Sequence, residues 1–292
     1  MISNYHKCNV LTGATGYFAK NYMDLNRNVT FVPFSSNKAL IESTGIDYLN
    51  DGVNEIAIKL NKYEVHTLIH AAGIRPKKMS SYSDRDIEKI NVDLTKKMVS
   101  LCKILKSKIL YISSDSVYEN SNERNENSAS LAPTTKYARS KFESELIIQE
   151  SGIDHTIVRT SFFGGLHIDK DNYLNKAHNN ILKGKLITAS SNHYTSSIGL
   201  KSLIYFLKGL ENIGFTGIVN IGCTNVTSQY DKVKLIWKKF EKEVNGKNLN
   251  LVDDLFQLDL QMDMGKLLSI FKLVDISFVK EVESEFMKTK DS

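Results

Sequence analysis

The chain has 292 residues, a net charge of +5, 41% hydrophobic and 24% charged residues, the balance of an ordinary globular protein with about two domains. No basic stripe interleaved with aromatics speaks for nucleic acid, and no apolar run approaches the ~18 residues of a membrane-spanning helix. Cys8, Cys102 and Cys223 are odd in number and far apart, so neither a disulfide framework nor a zinc site is expected. The opening residues contain no apolar signal region, so the expected location is the cytoplasm.

Short apolar runs alternate with longer amphipathic ones, the rhythm of repeated βα units around a parallel sheet. In chain order, a strand is expected at Lys7–Leu11, a helix at Tyr17–Leu25 and strands at Thr30–Phe34 and Ile46–Leu49. A helix follows at Val53–Leu60, a strand at Thr67–His70, a long helix at Arg85–Leu105 and a strand at Lys108–Ser113. Residues 119–130 are polar and aperiodic and read as a surface loop leading into a helix at Thr135–Glu150. After the strand Thr156–Arg159 the rhythm weakens, with a break at Gly164-Gly165. Helices are then expected near Tyr173–Leu182, Leu200–Leu210 and Ser228–Val244, and short strands near Leu186–Ala189 and Gly217–Ile221. The domain transition falls near residue 160, giving units of 1–160 and 161–292.

Thr12-Gly13-Ala14-Thr15-Gly16 joins the first strand to the first helix. Gly13 permits a tight turn, and Gly16 lets the backbone approach a pyrophosphate where free N–H groups and the helix dipole favour an anion. Ala19 stands where dinucleotide folds have a third small residue. The alternative is a purely structural turn. The second strand ends in Phe34-Ser35-Ser36-Asn37-Lys38, with hydroxyls and a cation in place of the acid that holds an NAD ribose. That favours NADP(H), with NAD(H) still open. His70-Ala71-Ala72-Gly73 ends a later strand with small residues suited to backbone passing beneath a cofactor, or to tight packing. Arg75, Lys77 and Lys78 follow on the next loop, either solvated or, for Arg75, in reach of a phosphate.

Tyr137 and Lys141 are four apart on an expected helix and share a face. A nearby cation favours the phenolate, which predicts a Tyr137 pKa below its usual value near 10. Ser114, at the end of the preceding strand, can polarise a carbonyl at the same place. The pairing recurs at Tyr230 and Lys234, but only the first copy follows a strand ending in serines and a glycine-rich turn.

TGATGYFA at 12–19, HAAG at 70–73, Asn91 within Ile90–Thr95, SSDSVY at 113–118, YARSK at 137–141 and Arg159-Thr160-Ser161-Phe162 occur in the order of a known family. In these the chain resembles the extended short-chain dehydrogenases/reductases, most of all the dTDP-4-dehydrorhamnose reductase branch. Asn172-Tyr173, Asn192-His193-Tyr194, Gly217–Ile221 and Leu258-Asp259 through Lys266-Leu267 match later segments of that branch more weakly. The resemblance implies an α/β fold: a Rossmann-type doubly wound parallel sheet with a smaller C-terminal α+β substrate domain. It implies a catalytic triad of Ser114, Tyr137 and Lys141, with Asn91 supporting a proton relay. Cofactor contacts would come from Gly13, Thr15, Gly16, Tyr17, Phe18, Ser35, Ser36, Lys38, Ala71, Ala72, Gly73, Asn91, Tyr137 and Lys141. Asp47-Tyr48 matches an acid-aromatic pair near the adenine, with Asp51 as a rival for the acid. Ser114, Asp115 and Phe162 would touch substrate.

The implied reaction is NAD(P)H-dependent reduction of a keto group on a nucleotide-linked sugar. The alternatives are an NAD-retaining sugar-nucleotide epimerase and a non-catalytic Rossmann binding module. Ser116 stands where the sugar-nucleotide dehydratases carry a catalytic glutamate, and Phe162 replaces a tryptophan of many rhamnose-pathway reductases. The expected partner is a nucleotide sugar, with no metal, and a homodimer is left open.

Overall fold

The alternating runs resolve into strands and helices in turn in a computed structural model that describes residues 6–119, 121, 123–128, 131–164, 173–241 and 249–286. The chain divides into two compact units. One is drawn from Met1–Val117, Pro133–Val158 and Gly214–Ile218, the other from Tyr118–Ala132, Arg159–Ile213 and Val219–Ser292. Gly165, Asn172, residues 242–244 of the third expected C-terminal helix, and Asn120, Asn122, Ala129 and Ser130 of the polar loop lie outside the described residues.

In the first unit, β1 (His6–Thr12), β2 (Phe31–Phe34), β3 (Tyr63–His70), β4 (Lys108–Ile112) and β5 (His155–Thr160) are consecutive members of a six-stranded sheet. The order is β2-β1-β3-β4-β5, with Gly217–Ile221 beyond β5, and the pairings among the first five strands are all parallel. Covered on both faces, such strands read as unbroken apolar runs rather than alternating ones, as in Leu68-Ile69 and Ile109-Leu110. The chain leaves β1 for β2 on one side and returns to β3 on the other, which creates a topological switch point. Thr12 is in register with both Phe34 and His70, so the loops after β1, β2 and β3 emerge at one edge.

The connecting helices are α1 (Tyr17–Leu25), α2 (Lys38–Thr44), α3 (Val53–Lys59), α4 (Pro76–Met79), α5 (Asp84–Glu88), α6 (Leu94–Leu105) and α7 (Lys136–Glu150). Met98, Leu101 and Cys102 of α6 join Val10, Leu68, Ile109 and Ile157 in the core. Each large apolar side chain buried there contributes about 1.5–3 kcal/mol.

Two expectations are corrected. Ile46–Leu49 is not a strand. Gly45 ends α2 in the left-handed conformation, and the Asp47 carboxylate accepts the N–H groups of Leu49 and Asn50. This local side-chain turn outcompetes pairing, while Ile46 and Tyr48 still reach the core. The long helix expected at Arg85–Leu105 begins at Asp84 and is interrupted by a π-helical turn at Lys89–Asp93. One extra residue there rotates the face that α5 presents relative to α6, and Asn91 is carried inward.

In the second unit, β6 (Phe162–Phe163), α8 (Tyr173–Leu182), β7 (Ile187–Ala189), β8 (His193–Thr195), β9 (Ile198–Gly199) and α9 (Leu200–Asn212) precede β10 (Gly217–Ile221). Then come β11 (Thr227–Ser228), α10 (Gln229–Phe240), β12 (Leu251–Asp253), β13 (Leu258–Leu260), α11 (Gly265–Phe271) and α12 (Phe278–Phe286). Small sheets pair β6 with β9, β7 with β12, and β8 with β11 and β13. Glu281 and Glu285 of α12 accept the N–H groups of Gly199 and Lys201, capping α9 from outside where Gly199 has no side chain to do so.

Candidate active site

The turn after β1 is shaped by what it cannot accommodate. Gly13 has φ +70°, and a Cβ there would lie 3.0 Å from the Cα of Ala72. A Cβ on Gly16 would meet the Gly13 carbonyl at 2.9 Å. Gly16 is the N-cap of α1 and offers no side-chain cap, and no acid stands in the first turn. The helix dipole at this end is therefore not offset by any local negative charge. Thr12 ties the turn to the next strand, its hydroxyl oxygen accepting the N–H groups of Ala71 and Ala72 at 3.1 Å each.

Ser35 is buried, accepts the Asn37 N–H at 3.1 Å and lies 3.2 Å from the Thr15 hydroxyl, so it links the first two loops. Ser36, Asn37 and Lys38 are exposed polar residues of this loop, and the Asn37 side chain caps α2 by accepting the Leu40 N–H. Tyr48 packs in the core with its ring 5.8 Å from that of Phe34, and Asp47 serves its own turn. Asp51 accepts from Lys59 at 2.7 Å.

The face that α7 buries is mostly polar: Ala138, Ser140, Lys141, Ser144, Glu145 and Ile148. Buried polar groups need partners, and each finds one. Thr135 caps the helix by accepting the Ala138 N–H. The Lys141 ammonium donates to the Ile112 carbonyl at 2.8 Å and sits 4.6 Å from the centre of the Tyr111 ring and 6.0 Å from that of Tyr137. Ser113 donates to Glu145, and Ser114 is hydrogen-bonded to Tyr137. Three successive residues at the end of β4 thus engage Lys141, Glu145 and Tyr137 of one helix face.

Asn91, delivered by the π turn, accepts the Ile74 N–H at 2.6 Å and donates to the Ile74 carbonyl and to Ser140. Gly73 passes close by, since a Cβ on it would stand 3.4 Å from Asn91 Oδ1 and 3.9 Å from Lys141 Nζ.

The electrostatics correct one expectation. Burial, reinforced by the negative charge of Asp115, pushes the Tyr137 phenol up to about 12, against the smaller opposing effects of the Ser114 hydrogen bond and Arg75. Lys141, its ammonium hydrogen-bonded to the Ile112 carbonyl and 6.0 Å from the centre of the Tyr137 ring, does not outweigh burial. Burial in turn lowers Lys141 to about 8, partly offset by Glu145. Tyr137 is therefore a protonated donor at neutral pH and Lys141 a mostly charged ammonium.

Ser114 also donates to Asp115 at 3.0 Å and accepts from the Ser116 N–H and hydroxyl. The repeat of the motif lacks this setting. Lys234 is exposed, where Lys141 is buried, and lies over the Tyr230 ring at 4.5 Å on α10. Phe162 is half-buried on β6, opposite Ile198.

His70 and Glu145 escaped the sequence reading as site residues. His70 is wholly buried, 2.8 Å from the Thr12 hydroxyl and 3.1 Å from that of Thr95, and burial, then Lys141, lower its pKa to about 3. Thr95 continues to Ser144 at 3.0 Å. A neutral hydrogen-bonded chain therefore runs from the glycine turn to α7. Ser140 and Ser144, four apart on α7, were the signal for it. No cluster of metal-ligating residues occurs among the described residues.

The family described as the RmlD substrate binding domain matches residues 10–250. The chain belongs to that family. No curated protein sequence matches it significantly. Among solved structures, a dTDP-4-dehydrorhamnose reductase of Bacillus anthracis str. Ames in complex with NADP has a TM-score of 0.78 at 18% identity, covering 96% of this chain and 98% of its own. The dTDP-4-dehydrorhamnose reductase of Yersinia enterocolitica has a TM-score of 0.78 at 16% identity, covering 96% and 98%. A UDP-glucuronic acid 4-epimerase of Bacillus cereus in complex with NAD reaches 0.73 at 16%, covering 96% and 97%. At such identities the likeness is one of fold, and it bears out the doubly wound α/β expectation for this member of the RmlD substrate binding domain family. No helix among the described residues is long and apolar enough to cross a membrane.

Proposed function

We propose that the protein is a reductase of the extended short-chain dehydrogenase/reductase type, acting on a keto group of a nucleotide-linked sugar with NADPH. One observation carries the reading: the Tyr137 phenol, hydrogen-bonded to Ser114, stands on the helix face that also carries the buried Lys141 side chain. A proton donor poised at neutral pH is what carbonyl reduction requires.

The turn fits a dinucleotide, since Gly13 and Gly16 leave a cradle that any Cβ would disturb. Gly13, Thr15, Gly16, Tyr17 and Phe18 would hold the pyrophosphate, and Ser36 and Lys38, on a loop shaped by Ser35, the 2′-phosphate. The NADP reported with the Bacillus anthracis reductase agrees with that choice, while the NAD of the epimerase keeps NAD(H) in view. Bound NADPH supplies the hydride. Ser114 donates a hydrogen bond to the carbonyl oxygen, and Tyr137 transfers its proton to that oxygen as the alcohol forms. Lys141 holds the nicotinamide ribose, and Asn91 keeps Ile74 and Ser140 in place beside it. Residues 1–160 would serve the cofactor, and 161–292, with Phe162, most of the sugar nucleotide.

The test is turnover of nucleotide-linked keto sugars with NADPH. Wild type should be active, Tyr137→Phe lower by ~10²-fold or more with near-normal cofactor affinity, and Tyr230→Phe unchanged. Equal behaviour of the two variants would remove the site assignment. Stoichiometric NAD that survives dialysis would point to an epimerase, and no dinucleotide binding at all to a non-catalytic module.

A further inference from the structure

Glu145 is completely buried, an expensive place for a carboxylate unless it has work to do there. It lies one turn beyond Lys141 and two beyond Tyr137, on the same face of α7. Its carboxylate accepts the hydroxyl of Ser113, the residue between the carbonyl that holds Lys141 and the hydroxyl that meets Tyr137. The Ser113 N–H is itself anchored to the Val158 carbonyl of β5 at 2.8 Å. The groups facing Lys141 are His70 from β3, Tyr111 from β4, and Tyr137 and Glu145 from α7. Glu145 is the one acid among them.

We infer that Glu145 is a positioning residue with two tasks: through Ser113 it keeps the strand end carrying Ser114 in register with α7, and its charge keeps Lys141 an ammonium. The inference rests on the Ser114–Tyr137–Lys141 reading. His70 and the two tyrosines bring no negative charge at neutral pH, since burial holds the imidazole unprotonated and the phenols un-ionised. The counter-charge must then come from Glu145. Residues four apart on a helix are neighbours, and a carboxylate within ~4–6 Å of an ammonium raises its pKa by about one unit or more, enough to decide the Lys141 state near neutrality.

The two tasks separate by substitution. Glu145→Gln keeps the shape and an acceptor for Ser113 but removes the charge; Ser113→Ala removes the hydrogen bond and leaves the charge. NMR titration of the Lys141 side chain in the protein alone should show a midpoint near 8 in wild type, lower by about one unit in E145Q, and unmoved in S113A. In NADPH-dependent turnover, S113A should lose about tenfold in kcat with KM for NADPH within about twofold, and the alkaline limb of E145Q should move down with its Lys141 midpoint. A wild-type midpoint in E145Q overturns the charge role, and full kcat in S113A overturns the register role. Should E145Q not fold, S113A decides the register role, because it deletes one hydroxyl, and the wild-type titration decides the charge role, since a Lys141 already neutral at pH 7 has no effective counter-charge. If Tyr137→Phe were as active as wild type, the triad reading would fail while the NMR result on Lys141 would stand.

Discussion

Two glycines with nearly the same backbone offer a controlled test of the turn after β1. Gly13 and Gly45 have φ +70° and +69°. A Cβ at Gly45 meets nothing within 4 Å, whereas at Gly13 it lies 3.0 and 3.1 Å from the Cα and N of Ala72. Gly45→Ala should therefore cost only the left-handed conformation, about 1 kcal/mol. Gly13→Ala carries the same cost and must also push backbone aside. The N–H groups of Ala71 and Ala72 both donate to Thr12, so the displacement weakens two hydrogen bonds, one buried and one part-buried, worth about 0.5–1.5 kcal/mol each. The expected total is about 2–4 kcal/mol, together with a large loss of NADPH affinity that Gly45→Ala does not share. Urea denaturation followed by far-ultraviolet circular dichroism measures the first quantity, and fluorescence titration with NADPH the second. Equal destabilisation of the two variants, or unimpaired NADPH binding by Gly13→Ala, would refute the close-approach argument.

Wild type should prefer NADPH over NADH by about tenfold, the low end for charge-assisted contacts, and salt should shrink the ratio because Lys38 is exposed. Ser35→Asp should reverse the order, since its carboxylate can still accept the Asn37 N–H while repelling a 2′-phosphate; paired titrations giving an unchanged ratio would dismiss this loop as the reader of the phosphate. His70 links pH to stability. The unfolded imidazole takes up its proton near pH ~6.5 and the folded one only near 3, so acid favours the unfolded chain. The contribution is complete above pH ~6.5 and is lost as pH falls towards 3, at about 1.4 kcal/mol per unit. Denaturation at pH 6.5 and 5 should show this slope in wild type and a flatter one in His70→Asn; identical slopes would mean that His70 is not held neutral.

Much of the fold was legible because its signals are local. Unbroken apolar runs such as Leu68-Ile69 mark strands covered on both faces, and α1 and α8 fall at their expected bounds because periodicity and flanking residues agree. The glycines of the first turn were readable for the same reason: what Gly13 permits is a property of its own backbone. The order of Ser114, Tyr137 and Lys141 along the chain also set the first Tyr-Lys pair apart from its copy at Tyr230, a distinction that the Tyr137→Phe and Tyr230→Phe comparison tests.

What the sequence could not decide depended on side-chain hydrogen bonds that compete with regular pairing and on neighbours remote in the chain. The stretch Ile46–Leu49 has strand-like alternation, and only the hydrogen bonds of Asp47 turn it into a loop. The π turn that brings in Asn91 leaves no periodic trace strong enough to break the helix pattern around it. The polar face of α7 finds its partners only when the π turn, α6 and the end of β4 are laid against it, and Ser140, Ser144 and Glu145 are then buried. Spacing alone predicted a lowered Tyr137 pKa, because four residues along a helix bring a cation near a phenol. Burial and Asp115 reverse the sign, and both act only once the chain has closed around the site, since desolvation is a property of the packed structure and not of the helix that carries the residue.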